Sequence, residues 1–320
     1  MRIGIPRTLW YYTYGPFWRK FFTGLGAEVV ISPLSTRSTL DDGLAFCVSE
    51  ACLPIKMFFG HLKALSGKVD YIFLPRMVCL HGDRLFCPKF LGLPDLVKHS
   101  GLPLPPLLDI RLDRRKRPLF LLRACLQLGE QLGARSRKAL QAYWRALRTQ
   151  WAYTRGLRQG RLPAGARQVH GPAGKGRATV AVLGYPYLIF DEYLNLGLLK
   201  KLVALGGHWR TAETVPEADL RRQNRAFPKR PFWLYSDLVA RAGYHFLGPG
   251  RGEVAGVIHV TAFACGPDAV VDKILELEAE RQRRPYLNIT LDEQSGEAGY
   301  ITRLEAFLDM LDRRGGAADA

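Results

Sequence analysis

Short apolar runs closed by proline or glycine alternate with helical stretches at both ends of this chain, and that punctuation calls for layered α/β structure. Residues 2–6 read as a strand ending in Pro6. An aromatic helix follows from about Gly15 to Gly24, carrying Pro16, Phe17, Trp18, Phe21 and Phe22, and Gly24 and Gly26 stop it. Residues 27–32 and 69–74 are further apolar strands, closed by Pro33 and Pro75. A similar order returns later, with strands at 179–184, 255–260 and 286–291 and helices at 192–205 and 302–312. Strands that alternate with helices imply parallel sheets covered on both faces. With 320 residues, 48% of them hydrophobic, the chain can bury two cores, so the expectation is two similar lobes, residues 1–110 and 178–320.

The middle, residues 111–177, differs. Apolar residues recur at helical steps, first Leu121, Cys125, Leu128 and Leu132, then Leu140, Trp144, Leu147 and Trp151, with a break near Gly129 and Gly133. Residues 162–177, rich in proline and glycine, read as a linker. Seventeen Lys and Arg face only Asp113 and Glu130 in this middle segment, which therefore holds nearly all of the +17 formal charge. The chain is thus expected to be two lobes joined by a basic helical segment. Arginine among tryptophans suits nucleic acid, but helical spacing puts Trp144 and Trp151 on an apolar stripe expected to pack inward. A solvated face is the simpler reading of the arginines, followed by an acidic protein or a phosphate-bearing ligand; nucleic acid is disfavoured.

No stretch approaches the roughly 18 apolar residues of a membrane span, and the start has no signal-peptide pattern. The expected compartment is the cytoplasm, where six cysteines are thiols rather than disulfides. Gly171-Pro172-Ala173-Gly174-Lys175-Gly176 looks like a phosphate loop, but it precedes a strand instead of following one, and Gly248 to Gly252 fails the same test. Cys52 in Glu50-Ala51-Cys52-Leu53-Pro54, Cys87 in Phe86-Cys87-Pro88-Lys89 and Cys265 in Ala264-Cys265-Gly266-Pro267-Asp268 each lie beside proline or glycine, expected in loops. No close Cys-x-x-Cys pair exists, which disfavours ferredoxin-like and zinc-ribbon sites. Three distant thiolates suit a cluster held in a cleft between lobes. Cys125 falls on a helical stripe and reads as packing; Cys47 and Cys79 are reserves.

Six segments together resemble a known family. They are Ile3-Gly4-Ile5-Pro6-Arg7; Glu50 to Lys56 with Gly60-His61; Cys87-Pro88-Lys89 through Pro94-Asp95; Gly184-Tyr185-Pro186-Tyr187; Cys265-Gly266-Pro267-Asp268; and Asp292-Glu293 with Gly296-Glu297-Ala298-Gly299 and Thr302-Arg303. The set is similar to the acyl-CoA dehydratase activase-related proteins, relatives of the 2-hydroxyacyl-CoA dehydratase components and the double-cubane cluster proteins. The likeness is thin over residues 111–177. It implies two Rossmann-like lobes, and it implies Cys52, Cys87 and Cys265 as ligands of an iron–sulfur cluster, either 4Fe–4S or a larger double cluster. It implies a partner ATPase feeding in low-potential electrons. In the dehydratase relatives such an electron enters a thioester carbonyl and eases loss of a β-hydroxyl, so an acyl-CoA substrate is implied too. Where the family has histidine, this chain has Tyr185 and Gln294.

The expected function is therefore that of an ATP-coupled iron–sulfur reductase or dehydratase component. Glu50, Lys56, His61, Arg76, Asp268, Glu293 and Glu297 are candidates for proton transfer or support, each with a surface or structural ion pair as the plain alternative. Two rival classes stand beside this: a non-catalytic electron relay or activation factor, and a metabolite-binding α/β protein. In the second rival the cysteines are inert, or zinc sits on Cys52, Cys87 and His61 or His81.

Overall fold

In the computed structural model the strand Arg2–Ile5 lies between two parallel neighbours, as the central strand of a covered sheet does. The structure describes residues 1–115, 119–161, 178–227 and 229–318. These divide into two units, Met1–Arg155 and Gly156–Ala320. The glycine motif at 171–176 and the expected linker at 162–177 lie outside the described residues.

The first unit runs β1 (Arg2–Ile5), α1 (Tyr11–Gly24), β2 (Glu28–Ile31), α2 (Arg37–Leu44), α3 (Leu53–Leu65), β3 (Tyr71–Phe73), β4 (Arg76–His81), β5 (Arg84–Leu85), α4 (Pro88–Leu91), α5 (Leu93–Lys98), β6 (Leu107–Leu108), β7 (Arg111–Asp113) and α6 (Phe120–Gln131). Then α7 (Ser136–Arg158) carries the chain past the boundary. The main sheet has the order β2-β1-β3-β6, all parallel. A small sheet, β5-β4-β7, pairs β4 antiparallel to β5 and parallel to β7. The sequence reading missed it, because its strands are two to six residues long and carry polar side chains.

The second unit runs β8 (Thr179–Leu183), α8 (Pro186–Ile189), α9 (Leu198–Ala204), β9 (His208–Thr211), α10 (Glu217–Arg222), α11 (Leu234–Leu247), β10 (Gly256–Ala262), α12 (Gly266–Arg281), β11 (Tyr286–Leu291) and α13 (Glu297–Ala318). Its sheet order is β11-β10-β8-β9, again all parallel. Counted along the chain, both sheets read second, first, third, fourth. The expected pair of similar α/β lobes is what the chain forms, and each lobe has the Rossmann-like pattern whose carboxyl edge, beside the first and third strands, receives ligands.

The core of the first unit is aromatic. Phe73 on β3 meets Trp18 at 4.5 Å, Phe22 at 4.9 Å and Trp10 at 5.4 Å between ring centres. All four rings are buried, and each such ring contributes roughly 2–3 kcal/mol by leaving water. Helix α1 starts at Tyr11, four residues ahead of the expected Gly15, because Tyr11 and Tyr12 are buried and draw the first turn in, with Pro16 tolerated inside the helix. Helix α9 starts only at Leu198, later than the expected 192. Before it, the Asp191 carboxylate accepts from the backbone N–H groups of Tyr193 and Leu194, and the Asn195 amide donates to the carbonyls of Leu188 and Ile189, locking a turn instead of a helix.

One expectation is overturned. In α7 the buried positions are Ala139, Ala142, Tyr143, Ala146, Gly156 and Leu157, while Leu140, Trp144 and Trp151 are exposed, the tryptophans by 52% and 65%. The reason is close packing. A Cβ on Gly24 of α1 would lie 2.8 Å from the Ala142 methyl, and one on Gly129 of α6 would lie 2.7 Å from that of Ala139. Only alanine fits between α7 and these glycines, so the large side chains turn outward. Cys125 and Leu128 of α6 are buried, as the periodicity predicts.

Candidate functional site

Cys52 and Cys87 do the same structural job in the first unit. Each is the residue immediately before a helix, in extended backbone, with proline at the first or second helical position and no hydrogen bond from its sulfur to the helix end. Cys265 has the same place before α12, with Pro267 behind it. Sequence reading placed them in loops; the structure places them at helix starts. Proline fits there because the first helical N–H groups have no partner within the helix. A sulfur so placed faces backbone N–H groups, those of Ile55 for Cys52 and of Phe90 and Lys89 for Cys87, and the positive end of the dipole, which suits a thiolate.

Topology sets which edge these helices occupy. Helix α3 leads into β3, and α4 and α5 lead into β6, so Cys52 and Cys87 both stand on the carboxyl edge of the first sheet. They are near enough that a charge on either opposes a charge on the other, and the same holds between Cys52 and Cys47. Lys89 counters all three, and its ammonium also donates to the Glu50 carbonyl at 3.2 Å, tying the two cysteine segments together. Burial raises the thiol of Cys52, and pushes Cys87 and Cys47 up to about 11. These are protonated, apolar thiols until a metal or a stronger cation arrives.

The candidates for support divide. Lys56 is buried near Cys47 and Cys52. Glu50 is exposed. His61 is fully buried between Ser32, 2.9 Å from Nδ1, and Ser35, 3.0 Å from Nε2, and burial holds it down at about 3. With both ring nitrogens occupied and no charge available, His61 fastens α3 to the end of β2. His81 is exposed and stacks on Tyr14 at 6.2 Å. Arg76 is a clamp: its guanidinium donates to both Asp95 oxygens at 2.6 and 2.8 Å and to the Leu91 carbonyl at 3.0 Å, fixing β4 to the short helices that follow Cys87.

In the second unit β8 and β10 are neighbours, so the segments leaving them, Gly184-Tyr185 and Phe263-Ala264-Cys265, share one edge. Gly184 allows that closeness, since a Cβ there would meet the Val260 carbonyl at 2.6 Å. Tyr185, where the resembled family has histidine, is buried with its hydroxyl 2.6 Å from the Ser236 hydroxyl. Ala264 holds a left-handed φ of 63° just before Cys265, a local strain that fixes the turn into α12. Asp268 is fully buried and pairs with His259 Nε2 at 3.3 Å, leaving its second oxygen without a hydrogen-bond partner. His259 Nδ1 meets Asp272 and the Tyr286 hydroxyl, each at 3.0 Å. Sequence reading named Asp268 alone. His259 looked like one more residue in an apolar strand, and Asp272 and Tyr286 carry no motif. Glu293 is half-buried, and Glu297 is exposed and paired with Lys201 at 2.6 Å.

Among the described residues no group of three or more His, Cys, Asp or Glu side chains is arranged to hold a metal ion, and no helix is long and apolar enough to cross a membrane. The donors that do gather, Cys52 and Cys87 with Cys47 beside them, are soft sulfurs with no carboxylate among the groups that shift them. That chemistry fits iron–sulfur ligation better than a hard cation.

No curated protein matches the chain. Residues 2–215, which include Cys52 and Cys87 and stop before Cys265, match the family described as the CoA enzyme activase uncharacterised domain. The match covers the first unit and continues through β9 of the second. With two thirds of its length matched, the chain belongs to this CoA enzyme activase domain family.

Proposed function

We propose that this chain is an iron–sulfur protein that receives low-potential electrons from a partner ATPase and serves the reduction or dehydration of an acyl-CoA. The observation that carries the reading is the pairing of Cys52 and Cys87, two thiols heading adjacent helices on one sheet edge within electrostatic reach of each other. Cys265, which heads α12 in the second unit, is the third proposed ligand. A bound cluster would supply one-electron reduction at a potential set by its thiolates and their surroundings. The chain's own part is then to hold the sulfurs, keep water away and counter charge. Lys89 and the buried Lys56 lie near the sulfurs and lower the cost of negative charge there. The basic residues of the middle segment outside α7 are the proposed counter-charge for the phosphates of coenzyme A.

The test is iron and acid-labile sulfide analysis after anaerobic purification. Coloured protein with bound iron and sulfide is expected, and Cys52→Ser and Cys87→Ser should each lose most of it while staying folded. A colourless preparation that takes up neither on reconstitution would end the proposal.

The family description, a CoA enzyme activase domain, favours a second reading in which the chain relays electrons or activates another enzyme without turning over acyl-CoA. Single-turnover assays with a reduced ATPase partner separate the two. Consumption of acyl-CoA supports the first reading, and re-oxidation only when another enzyme is added supports the second.

A further inference from the structure

The outward face of α7 repeats Leu140, Trp144, Leu147 and Trp151 at steps of four, three and four residues, the a/d spacing of a two-helix seam. Trp144 and Trp151 are 52% and 65% exposed, Leu140 is 39% exposed and Leu147 is half-buried at the edge of the stripe, so three of its four side chains face solvent while the alanine face is packed. Large apolar side chains aligned along a solvent-facing stripe mark an interaction surface.

The charge beside the stripe says what covers it. Arg137, Arg148 and Arg155 are exposed, and at about 100° per residue they fall along one flank of the stripe. Lys138 and Arg145 add to the same charge farther round, and no Asp or Glu occurs anywhere in α7. A second copy of this helix would bring like charge against like charge. Nucleic acid would be drawn to the arginines, but Leu140 and Leu147 have no role in stacking bases or neutralising phosphates. An acidic helix with an apolar face satisfies both halves of the pattern.

We propose that the Leu140–Trp144–Leu147–Trp151 face of α7 docks an acidic amphipathic helix of a partner protein, the apolar stripes interdigitating and the flanking arginines pairing with its carboxylates. This surface is independent of any cluster on Cys52 and Cys87, and loss of either leaves the other to be judged on its own.

The experiment uses the full chain and a fluorescein-labelled synthetic heptad peptide with leucine at a and d and glutamate at e and g, followed by anisotropy. The probe's own glutamates keep it from self-pairing. The lysine counterpart of the peptide, an oligothymidylate and free coenzyme A are the comparators. Expected are binding of the acidic peptide that weakens with salt, and a loss of about ten-fold in the Trp144→Ser, Trp151→Ser double variant. The Arg148→Glu, Arg155→Glu double variant should lose the acidic peptide and gain its lysine counterpart. That gain of binding shows the variant is folded. The proposal is overturned if the lysine peptide binds wild type as tightly as the acidic one, if the oligothymidylate binds more tightly than either, or if coenzyme A displaces the acidic peptide. Self-association in sedimentation that the tryptophan double variant abolishes would equally overturn it.

Discussion

Nε2 of His259 lies 3.3 Å from Oδ1 of Asp268, and neither side chain is reached by solvent. Burial works against a charged imidazole here, but Asp268 and Asp272 outweigh it and hold His259 up at about 9. The folded value therefore stands above the ordinary 6.5. The pairing contributes fully below that ordinary value and is lost as pH rises through about 9, on the order of 3 kcal/mol in all. Urea unfolding should thus show stability falling between pH 6.5 and 9. His259→Gln should flatten that window and cost about 3–5 kcal/mol at its lower end, because Asp268 is left buried without its cation. Equal slopes in wild type and variant would contradict this account.

His61 gives the opposite sign. Burial, then the Arg7 charge, hold its folded value down at about 3, well under the ordinary 6.5. The unfolded chain takes up a proton below pH 6.5 that the folded chain refuses, so stability is full above 6.5 and falls as pH drops toward 3. With His259 acting on the alkaline side, the two histidines together predict greatest stability near pH 6.5 where other groups are silent. His61→Asn, which keeps polar contact with Ser32 and Ser35 and does not titrate, should reduce the acid-side slope while leaving the alkaline side unchanged. An unchanged acid limb in thermal scans would refute it.

Much of this was legible beforehand. Three strands of each main sheet could be read from their apolar runs, and 286–291 matches β11 to the residue, whereas β6, two residues long, and β9, His-Trp-Arg-Thr, carry no such run. The parallel topology follows from alternation alone. What could not be read depends on partners distant in sequence. Nothing local says that Ala142 must meet Gly24 and Ala139 must meet Gly129, so the face of α7 with the larger residues passed for the buried one. The same limit applies at the site. Cys52 and Cys87 stand out through their flanking prolines, but their nearness to each other and to Lys89 exists only once α3 and α4 share an edge. His259 becomes a charged centre only when α12 brings two carboxylates over it.

Helices α2 and α3 touch backbone to backbone. A Cβ on Gly60 would lie 1.7 Å from the Thr39 carbonyl oxygen, and one on Gly43 would lie 2.0 Å from that of Lys56. No rotamer change relieves a clash with main chain, so Gly60→Ala must push the helices apart. A loss of about 3 kcal/mol is expected, at or above the usual range for overpacking. Because α3 carries Cys52 at its head, the same change should lower iron uptake even at temperatures where the protein is folded. Gly67→Ala is a useful contrast, since nothing lies near its Cβ and only its left-handed backbone, φ 70°, is strained. It should cost less and leave iron uptake intact. Equal effects from both substitutions would show that the α2–α3 contact does not position Cys52.

The thiols offer a last test, because two effects compete at Cys87. Burial is the larger and raises it, while the neighbouring Cys52 raises it further and Lys89 lowers it. A rise from the ordinary 9.0 to about 11 cuts the thiolate fraction roughly 100-fold at neutral pH. In the metal-free chain, iodoacetamide should therefore modify Cys87 about 100-fold more slowly than a small free thiol, as followed by mass spectrometry of its peptide. If burial dominates, Cys52→Ser changes that rate little, since Cys52 is itself protonated and carries no charge to remove. Lys89→Met should slow it further by withdrawing a nearby charge that favours the thiolate. If the coupling between the cysteines dominated instead, Cys52→Ser would speed the reaction markedly. The same protonated thiols must each release a proton on binding iron, so reconstitution should improve as pH rises from 7 to 9 and release acid in an unbuffered titration. Iron uptake with no proton release would mean that sulfur ligands other than these buried thiols hold the metal.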